Sequence, residues 1–325
     1  MRIFIPAHFY EDSFVDNVQI TLSQMGYDVF TLGEIRHTSY WSTPRYLMRV
    51  AASFIVGSRP SARERAILLT ARRIRPDTIL ALTTNLHPEI LHELGKLCPG
   101  RRILWWGDSP ANSTGWGIVD PGWDFVYLKD RVAVEKVRLV GGNAFLLHEA
   151  MNPIWHKPLA NQANGDVAVV GNYYSFRQAL ILRLMKDNIP LRLYGSKPPR
   201  WAHPVIKRAY TGHYVTREDK SLVFGEAMAS LNTFAFAEGD SLNCRAFEIA
   251  GAGGLQLIEH RPVLEECFEP GKEVLAFRGY EELIDHLYRT RRSPNDVEGI
   301  RRNGAQRALA EHTYEHRLRI IFRKF

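Results

Sequence analysis

The chain has 325 residues, 45% of them hydrophobic and 24% charged, which is ordinary usage for a folded protein and excludes wholesale disorder and collagen-like repeats. Lys+Arg 42 against Asp+Glu 35 leaves a formal charge of +7, which permits an anionic partner without naming one. Cys98, Cys244 and Cys267 lie far apart with no CxxC pair, an argument against zinc, iron–sulfur or a disulfide framework and for a reducing compartment.

Apolar runs alternate with helical patterns, the signature of α/β architecture with parallel sheets. Strands are expected over Arg2–Ala7, Asp28–Leu32, Thr78–Leu82, Arg102–Trp106, Phe125–Leu128 and Ala144–Leu147. Between the first two, Phe14, Val15, Val18, Leu22 and Met25 mark one face of a helix that Gly26 ends. Ser61 with Glu64 three residues on reads as a capping box for a helix running to about Arg75. The polar stretch Asn161–Gly165 reads as a linker, after which the pattern restarts with a buried strand, Asp166–Gly171. A helix carrying Leu180, Ile181 and Leu184 follows, then a strand over Leu191–Tyr194 ending in Gly195. Gly225–Ala229 reads as helical, Ser230–Phe234 as a strand, Phe247–Ala252 as a helix start and Leu255–Ile258 as a strand. Glu281–Tyr288 and the basic tail from about Val297 read as helices.

The restart implies two Rossmann-like domains facing a cleft, with a single large doubly wound sheet as the alternative. The boundaries expected are 1–160 for an acceptor-side domain and 161–310 for a nucleotide-sugar-binding domain. Residues 311–325 would form a terminal helix that packs back on the first domain.

The stretch Glu238-Gly239-Asp240-Ser241-Leu242-Asn243-Cys244-Arg245-Ala246-Phe247-Glu248 runs from a polar loop into a helix N-terminus. Backbone N–H groups and the helix dipole attract a phosphate there, and Arg245 can add a bidentate contact. Glu248, one turn in, can accept hydrogen bonds from ribose hydroxyls. The plain structural alternative is a helix capped near Asp240 or Ser241, with glycines serving close packing.

Four ordered phrases make this region resemble the C-terminal half of CgeB-like glycosyltransferases, relatives of the family 4 type with a GT-B fold. They are Arg245–Gly254, Phe268–Glu273, Tyr280–Leu283 and Glu311–Arg317. Asp166–Gly171 with Tyr173, Tyr174 and Arg177 looks like that family's opening of the donor domain, and Ile103–Pro110 like its aromatic-then-Asp-Pro phrase. The resemblance implies a transferase that moves a sugar from a nucleotide-sugar to a glycan, lipid-linked or protein acceptor, retaining and independent of metal. No cofactor is implied beyond the donor as co-substrate. Asp240 and Glu248, with seven residues between them, fall on the family's two acidic positions, although the first is usually Glu. Glu248 would bind the donor ribose, and the Gly251–Gly254 region, including Gly253 and Gly254, would meet the diphosphate at the helix. Arg177, Lys197 and Arg245 are the candidate phosphate partners, with a solvated surface charge as the alternative for Arg177 and Lys197. No Asp-x-Asp or metal-spaced cluster accompanies them.

Acceptor-side candidates follow strands of the first half. Asp108 stands after Trp105-Trp106 and has an Asp-Ser-Pro turn as its alternative role. His87, before Pro88, is a base candidate or a helix-cap neighbour, and His8 and His213 carry lesser weight. His312 and His316 match the family's terminal helix and are expected to be structural or cleft-lining rather than metal ligands.

From Arg36 to Arg75 nine arginines and a single acid, Glu64, are interleaved with Tyr40, Trp41, Tyr46 and Phe54. Tyr46–Val56 can be amphipathic, which fits an anionic membrane surface better than nucleic acid. A solvated helix face is the plain alternative. The run Met1–Pro6 is too short for a signal peptide, and no stretch approaches the ~20 apolar residues of a membrane span. A cytoplasmic location, peripheral at the inner face of the membrane, is therefore expected. The rival to a transferase is a catalytically silent or non-transferase GT-B protein that binds membrane or nucleic acid through the arginine-rich segment.

Overall fold

The computed structural model describes residues 1–35, 60–159 and 164–323. The chain divides into two compact units, Met1–His148 and Glu149–Phe325. Residues 36–59, which carry the first arginines of the basic segment and the Tyr46–Val56 stretch, lie outside the described residues, as do 160–163 of the expected linker region.

The first unit is built on six parallel strands, β1 (Arg2–Phe4), β2 (Asp28–Phe30), β3 (Thr78–Leu82), β4 (Arg102–Trp106), β5 (Phe125–Leu128) and β6 (Ala144–Leu146), in the order β2-β1-β3-β4-β5-β6. All five residues of β3 are buried, as a strand covered on both faces requires. Among the described residues the connecting helices are α1 (Phe14–Gln24), α2 (Ala62–Ile74), α3 (Pro88–Leu97) and α4 (Arg131–Leu139). Gly26 follows α1 at φ +86°, the left-handed conformation that a helix stop favours. The expected capping box is present: Ser61 Oγ accepts from the Glu64 N–H, and Glu64 Oε2 accepts from the Ser61 N–H at 2.8 Å. Glu64 Oε1 also accepts from the His87 N–H at 2.7 Å, so one carboxylate ties the starts of α2 and α3 together.

The second unit has five parallel strands, β7 (Val167–Val170), β8 (Leu191–Tyr194), β9 (Ala229–Asn232), β10 (Gln256–Glu259) and β11 (Leu275–Phe277), in the order β11-β10-β9-β7-β8. Its helices are α5 (Ser175–Lys186), α6 (Pro204–Ala209), α7 (Arg217–Glu226), α8 (Cys244–Gly251), α9 (Leu264–Cys267), α10 (Tyr280–Arg292), α11 (Glu298–Glu311) and α12 (Tyr314–Phe322). One sheet face packs Val167, Val169, Leu193, Leu231 and Leu257 against Ile181 and Leu184 of α5 and Leu283 and Leu287 of α10. The other face seats α8 through Ala246, Phe247 and Ala250.

Several boundaries differ from the expectation. The helix expected at Gly225–Ala229 is α7, which starts at Arg217 and stops at Glu226, so β9 begins one residue early and ends at Asn232. The basic tail is two helices, because Thr313 starts a new one with a capping box that uses His316. Residues 149–159 belong with that tail: Met151 exchanges backbone hydrogen bonds with His312 and Tyr314, and Arg317 Nε donates to the Glu149 carbonyl. No helix among the described residues is long and apolar enough to cross a membrane.

Each sheet reverses direction once. In the first unit β1 has β2 on one side and β3 on the other; in the second, β7 lies between β8 and β9. At such a switch point the connections leave toward opposite faces and open a crevice at the carboxyl ends of the strands, where ligands bind in open α/β sheets.

Candidate active site

The crevice at the carboxyl ends of β7 and β9 is floored by bare backbone. Gly171 follows β7 at φ +126° and Gly195 follows β8 at φ +106°. A Cβ on Gly195 would lie 2.6 Å from the Gly171 nitrogen, so the two chains approach as only glycines allow.

Two guanidinium groups converge on this floor. Arg177, in the first turn of α5, is 1% exposed. Its Nε donates to Thr233 Oγ1 at 3.0 Å, Nη2 to the Thr233 carbonyl at 2.9 Å and Nη1 to the Asn172 carbonyl at 2.7 Å. The Tyr174 ring lies beneath it, 4.5 Å from the guanidinium carbon. Arg245, in the first turn of α8, donates from Nη1 to the Val170 carbonyl at 3.0 Å, while its buried Nε has no hydrogen-bond partner among the described residues. A Cβ on Gly171 would fall 2.0 Å from Arg245 Nη1 and 3.1 Å from Arg177 Nη1, so both cations flank one glycine. Burial, and then the charge of Arg245, lower the Arg177 pKa to about 9, which leaves it charged at neutral pH. Among the described residues neither guanidinium is paired with a carboxylate. Paired positive charges with only neutral partners suit an anion with oxygens on two sides, such as a diphosphate.

The start of α8 is closed by protein. Asn243 caps it, its Oδ1 accepting from the Ala246 N–H at 3.2 Å and from Asn232 Nδ2 at 3.1 Å. Asn232 also donates to Gln256 Oε1, and Gln256 donates to the Ala246 carbonyl. This buried amide network fixes α8 to β9 and β10. The cap is therefore Asn243 rather than Asp240 or Ser241, and positive charge for an anion comes from the side chains of Arg177 and Arg245. Gly253 and Gly254 need correcting. They follow the C-cap Ala252, at the opposite end of α8 from Arg245, where Gly253 packs on Pro158 and a Cβ on Gly254 would meet the Phe224 carbonyl at 2.7 Å. Their small size serves the turn into β10, at the end of α8 away from Arg245.

Glu248, one turn along α8 from Arg245, is 4% exposed. Its Oε1 accepts from Lys220 Nζ at 2.8 Å and lies 3.8 Å from His156 Nε2. His156 Nδ1 accepts from the Asn152 N–H at 3.0 Å, which assigns the proton of the neutral ring to Nε2, facing the carboxylate. Sequence reasoning missed Lys220 and His156. They come from α7 and from the segment after β6, and no local pattern links them to Glu248.

The remaining candidates are dispersed. Asp240 Oδ1 accepts from the Val263 N–H at 3.0 Å, while Arg261 reaches the carbonyls of Glu238 and Gly239, so the 238–241 loop is pinned to the turn before α9. Lys197 is exposed in the loop two residues past Gly195, and exposed His213 contributes its carbonyl to the Gly195 N–H. In the first unit, Asp108 is exposed at the carboxyl end of β4, and its two oxygens accept from the Ser109 N–H and Asn112 Nδ2, each at 2.8 Å. His87 caps α3, its Nδ1 accepting from the Glu89 N–H at 3.3 Å. His8 Nδ1 lies 3.2 Å from the Gly33 carbonyl. His312 is held between the Cys267 carbonyl and Arg317, and His316 Nδ1 lies 2.7 Å from Thr313 Oγ1. A separate cavity of about 690 Å³, lined by Met151, Lys157, Gly253, Arg302 and Leu309 among others, opens at the far end of α8 and includes none of Gly171, Arg177 and Arg245.

Residues 177–323, from Arg177 itself through the tail helices, match the family described as glycosyl transferase-like. No curated protein matches the chain. Solved structures do. The sucrose-phosphate synthase of Thermosynechococcus elongatus aligns with a TM-score of 0.69 at 12% identity, covering 100% of this chain and 98% of that one. HepE of Anabaena, in complex with UDP-glucose, aligns with a TM-score of 0.68 at 10% identity over 100% of both chains. AviGT4, a glycosyltransferase of avilamycin A biosynthesis, aligns with a TM-score of 0.60 at 15% identity over 99% of this chain and 96% of that one. The two parallel-sheet units thus have the GT-B fold of glycosyltransferases.

Replacing Arg245 tests the pair directly. Arg245→Met removes a repulsion from Arg177, so thermal stability without ligand should hold or rise. Affinity for inorganic pyrophosphate should fall about 10- to 100-fold, the worth of charged hydrogen bonds. Calorimetry and a melting curve on the same protein read both effects.

Proposed function

We propose that this chain is a glycosyltransferase whose second unit binds a nucleoside-diphosphate sugar through Arg177 and Arg245 at the carboxyl end of β7. The observation that carries this reading is the convergence on Gly171 of two guanidinium groups with no carboxylate partner among the described residues, both from the stretch that matches the glycosyl transferase-like family. Support for a uridine nucleotide comes from HepE, solved with UDP-glucose and with UDP.

In transfer, the bond between the anomeric carbon and the diphosphate oxygen breaks, a bond to an acceptor hydroxyl forms, and the acceptor's proton goes to a base. Negative charge grows on the departing diphosphate. Arg177 is already locked by Thr233 and Asn172, so it stabilises that charge without reorganising, the condition under which such contacts lower a barrier most. A metal ion is not required for this role, and we assign the reaction as metal-independent. Retention of configuration rests on the family resemblance. Glu248, which accepts from Lys220, is assigned to the ribose hydroxyls. Lys197 is assigned a lesser, exposed contact to the phosphates.

For the acceptor side we assign Asp108. It is exposed, stands at the carboxyl end of a central strand, and accepts from neutral N–H groups. His87 is less suited, because capping α3 through Nδ1 leaves the ring proton on Nε2. An anionic membrane surface is the assigned partner of the basic segment, supported by exposed Arg65, Arg72, Arg73 and Arg75 and by Leu69 on and after α2.

Calorimetry with UDP in the presence of EDTA tests the donor site: binding is expected in the wild type and should be lost in Arg177→Met. Absence of UDP binding in the wild type would remove a uridine donor. Asp108→Asn should leave UDP affinity unchanged and slow sugar transfer at least tenfold; equal turnover would return Asp108 to its turn. Sedimentation with anionic vesicles should carry the chain down at low salt and release it as salt rises, and no sedimentation would remove the membrane.

A further inference from the structure

Beside the guanidinium pair the chain exposes an aromatic surface that the diphosphate does not use. Phe236, in the loop after β9, is 83% exposed. Its ring centroid lies 5.6 Å from that of Phe176, with the planes tilted by 49°. Both are placed by the anion site. Phe176 immediately precedes Arg177 in the first turn of α5, and Phe236 stands three residues past Thr233, whose hydroxyl and carbonyl hold Arg177. Phe234, in the same loop, is buried at 2% with the Arg261 guanidinium over its ring, so the loop can bury a phenylalanine and leaves this one out.

Arg245 and Arg177 meet at Gly171, Glu248 stands one turn from Arg245 on α8, and Phe176 and Phe236 are tied to Arg177 along the chain and through Thr233. A nucleoside-diphosphate sugar carries ribose hydroxyls on one side of its anion and a second ring on the other. With the ribose on Glu248 and the diphosphate across the two arginines, the ring reaching Phe236 is the sugar. We propose that Phe236, backed by Phe176, stacks on the apolar C–H face of the transferred pyranose and so helps determine which sugar is accepted. This inference rests on the donor reading above and names the part of the donor that the arginines do not explain. A pyranose with its ring hydrogens on one face offers a flat apolar surface to the electron-rich face of phenylalanine, while its hydroxyl edge stays in water. Phe236 is a positioning residue in this role and takes no part in bond making.

The test compares two probes that differ only by the sugar. Affinities for UDP and UDP-glucose are measured by calorimetry in the wild type, Phe236→Ala and Phe236→Tyr. Phe236→Ala should weaken UDP-glucose about three- to tenfold, the range of an aromatic contact, and leave UDP unchanged; Phe236→Tyr should restore the wild-type value. Equal losses for the two probes would place the nucleobase, not the sugar, on Phe236 and overturn the proposal. So would an unchanged UDP-glucose affinity in Phe236→Ala. If the wild type binds no UDP, the donor reading itself falls. That result is distinct from a wild type that binds UDP while Phe236→Ala behaves identically, in which case the aromatic platform alone falls. The side chain is exposed, so both variants should fold, and matching melting curves verify it.

Discussion

Holding two like charges against one glycine is the constraint from which the second unit's site follows. At an effective dielectric of about 20, two unit charges a few ångströms apart repel by on the order of a few kcal/mol. The fold offsets this with the Thr233 and Asn172 contacts of Arg177, the Val170 carbonyl on Arg245 and the Tyr174 ring beneath Arg177. None of these contacts neutralises a charge. The repulsion persists until an anion arrives, and it adds to the larger effect of burial in lowering the pKa of Arg177. Structural arginines elsewhere in the chain show the contrast. Arg301 is buried among carbonyls but has Glu298 at 3.3 Å, and Arg102 has Asp124 at 3.0 Å. At the point where the strand order reverses, Arg177 and Arg245 have no carboxylate partner among the described residues.

Much of the frame was legible because its signals are local. β3, β4, β5 and β8 begin and end where their apolar runs do, and the Ser61–Glu64 capping box needs only four consecutive residues. Arg177 and Arg245 were both legible as phosphate candidates, the first beside a strand-ending glycine and the second at a helix start. That they meet was not, because the meeting depends on β7 lying between β8 and β9 rather than at an edge. The Gly251–Gly254 run misled for a related reason. Small residues near a helix resemble a phosphate loop, but here the helix has already begun at Cys244, and the glycines close it. β11 was not among the expected strands.

Lys220 and His156 show the limit of local reading. Nothing within a window of residues ties Lys220 to a carboxylate 28 positions away, yet a buried Glu248 could not stay ionised without such a partner. The pair also decides the electrostatics of the crevice. With Lys220 bound to it, carboxylate and ammonium cancel, and the positive charge at Gly171 is left to Arg177 and Arg245 alone. An acidic residue can therefore sit beside an anion site, available to hydroxyl groups, without weakening it.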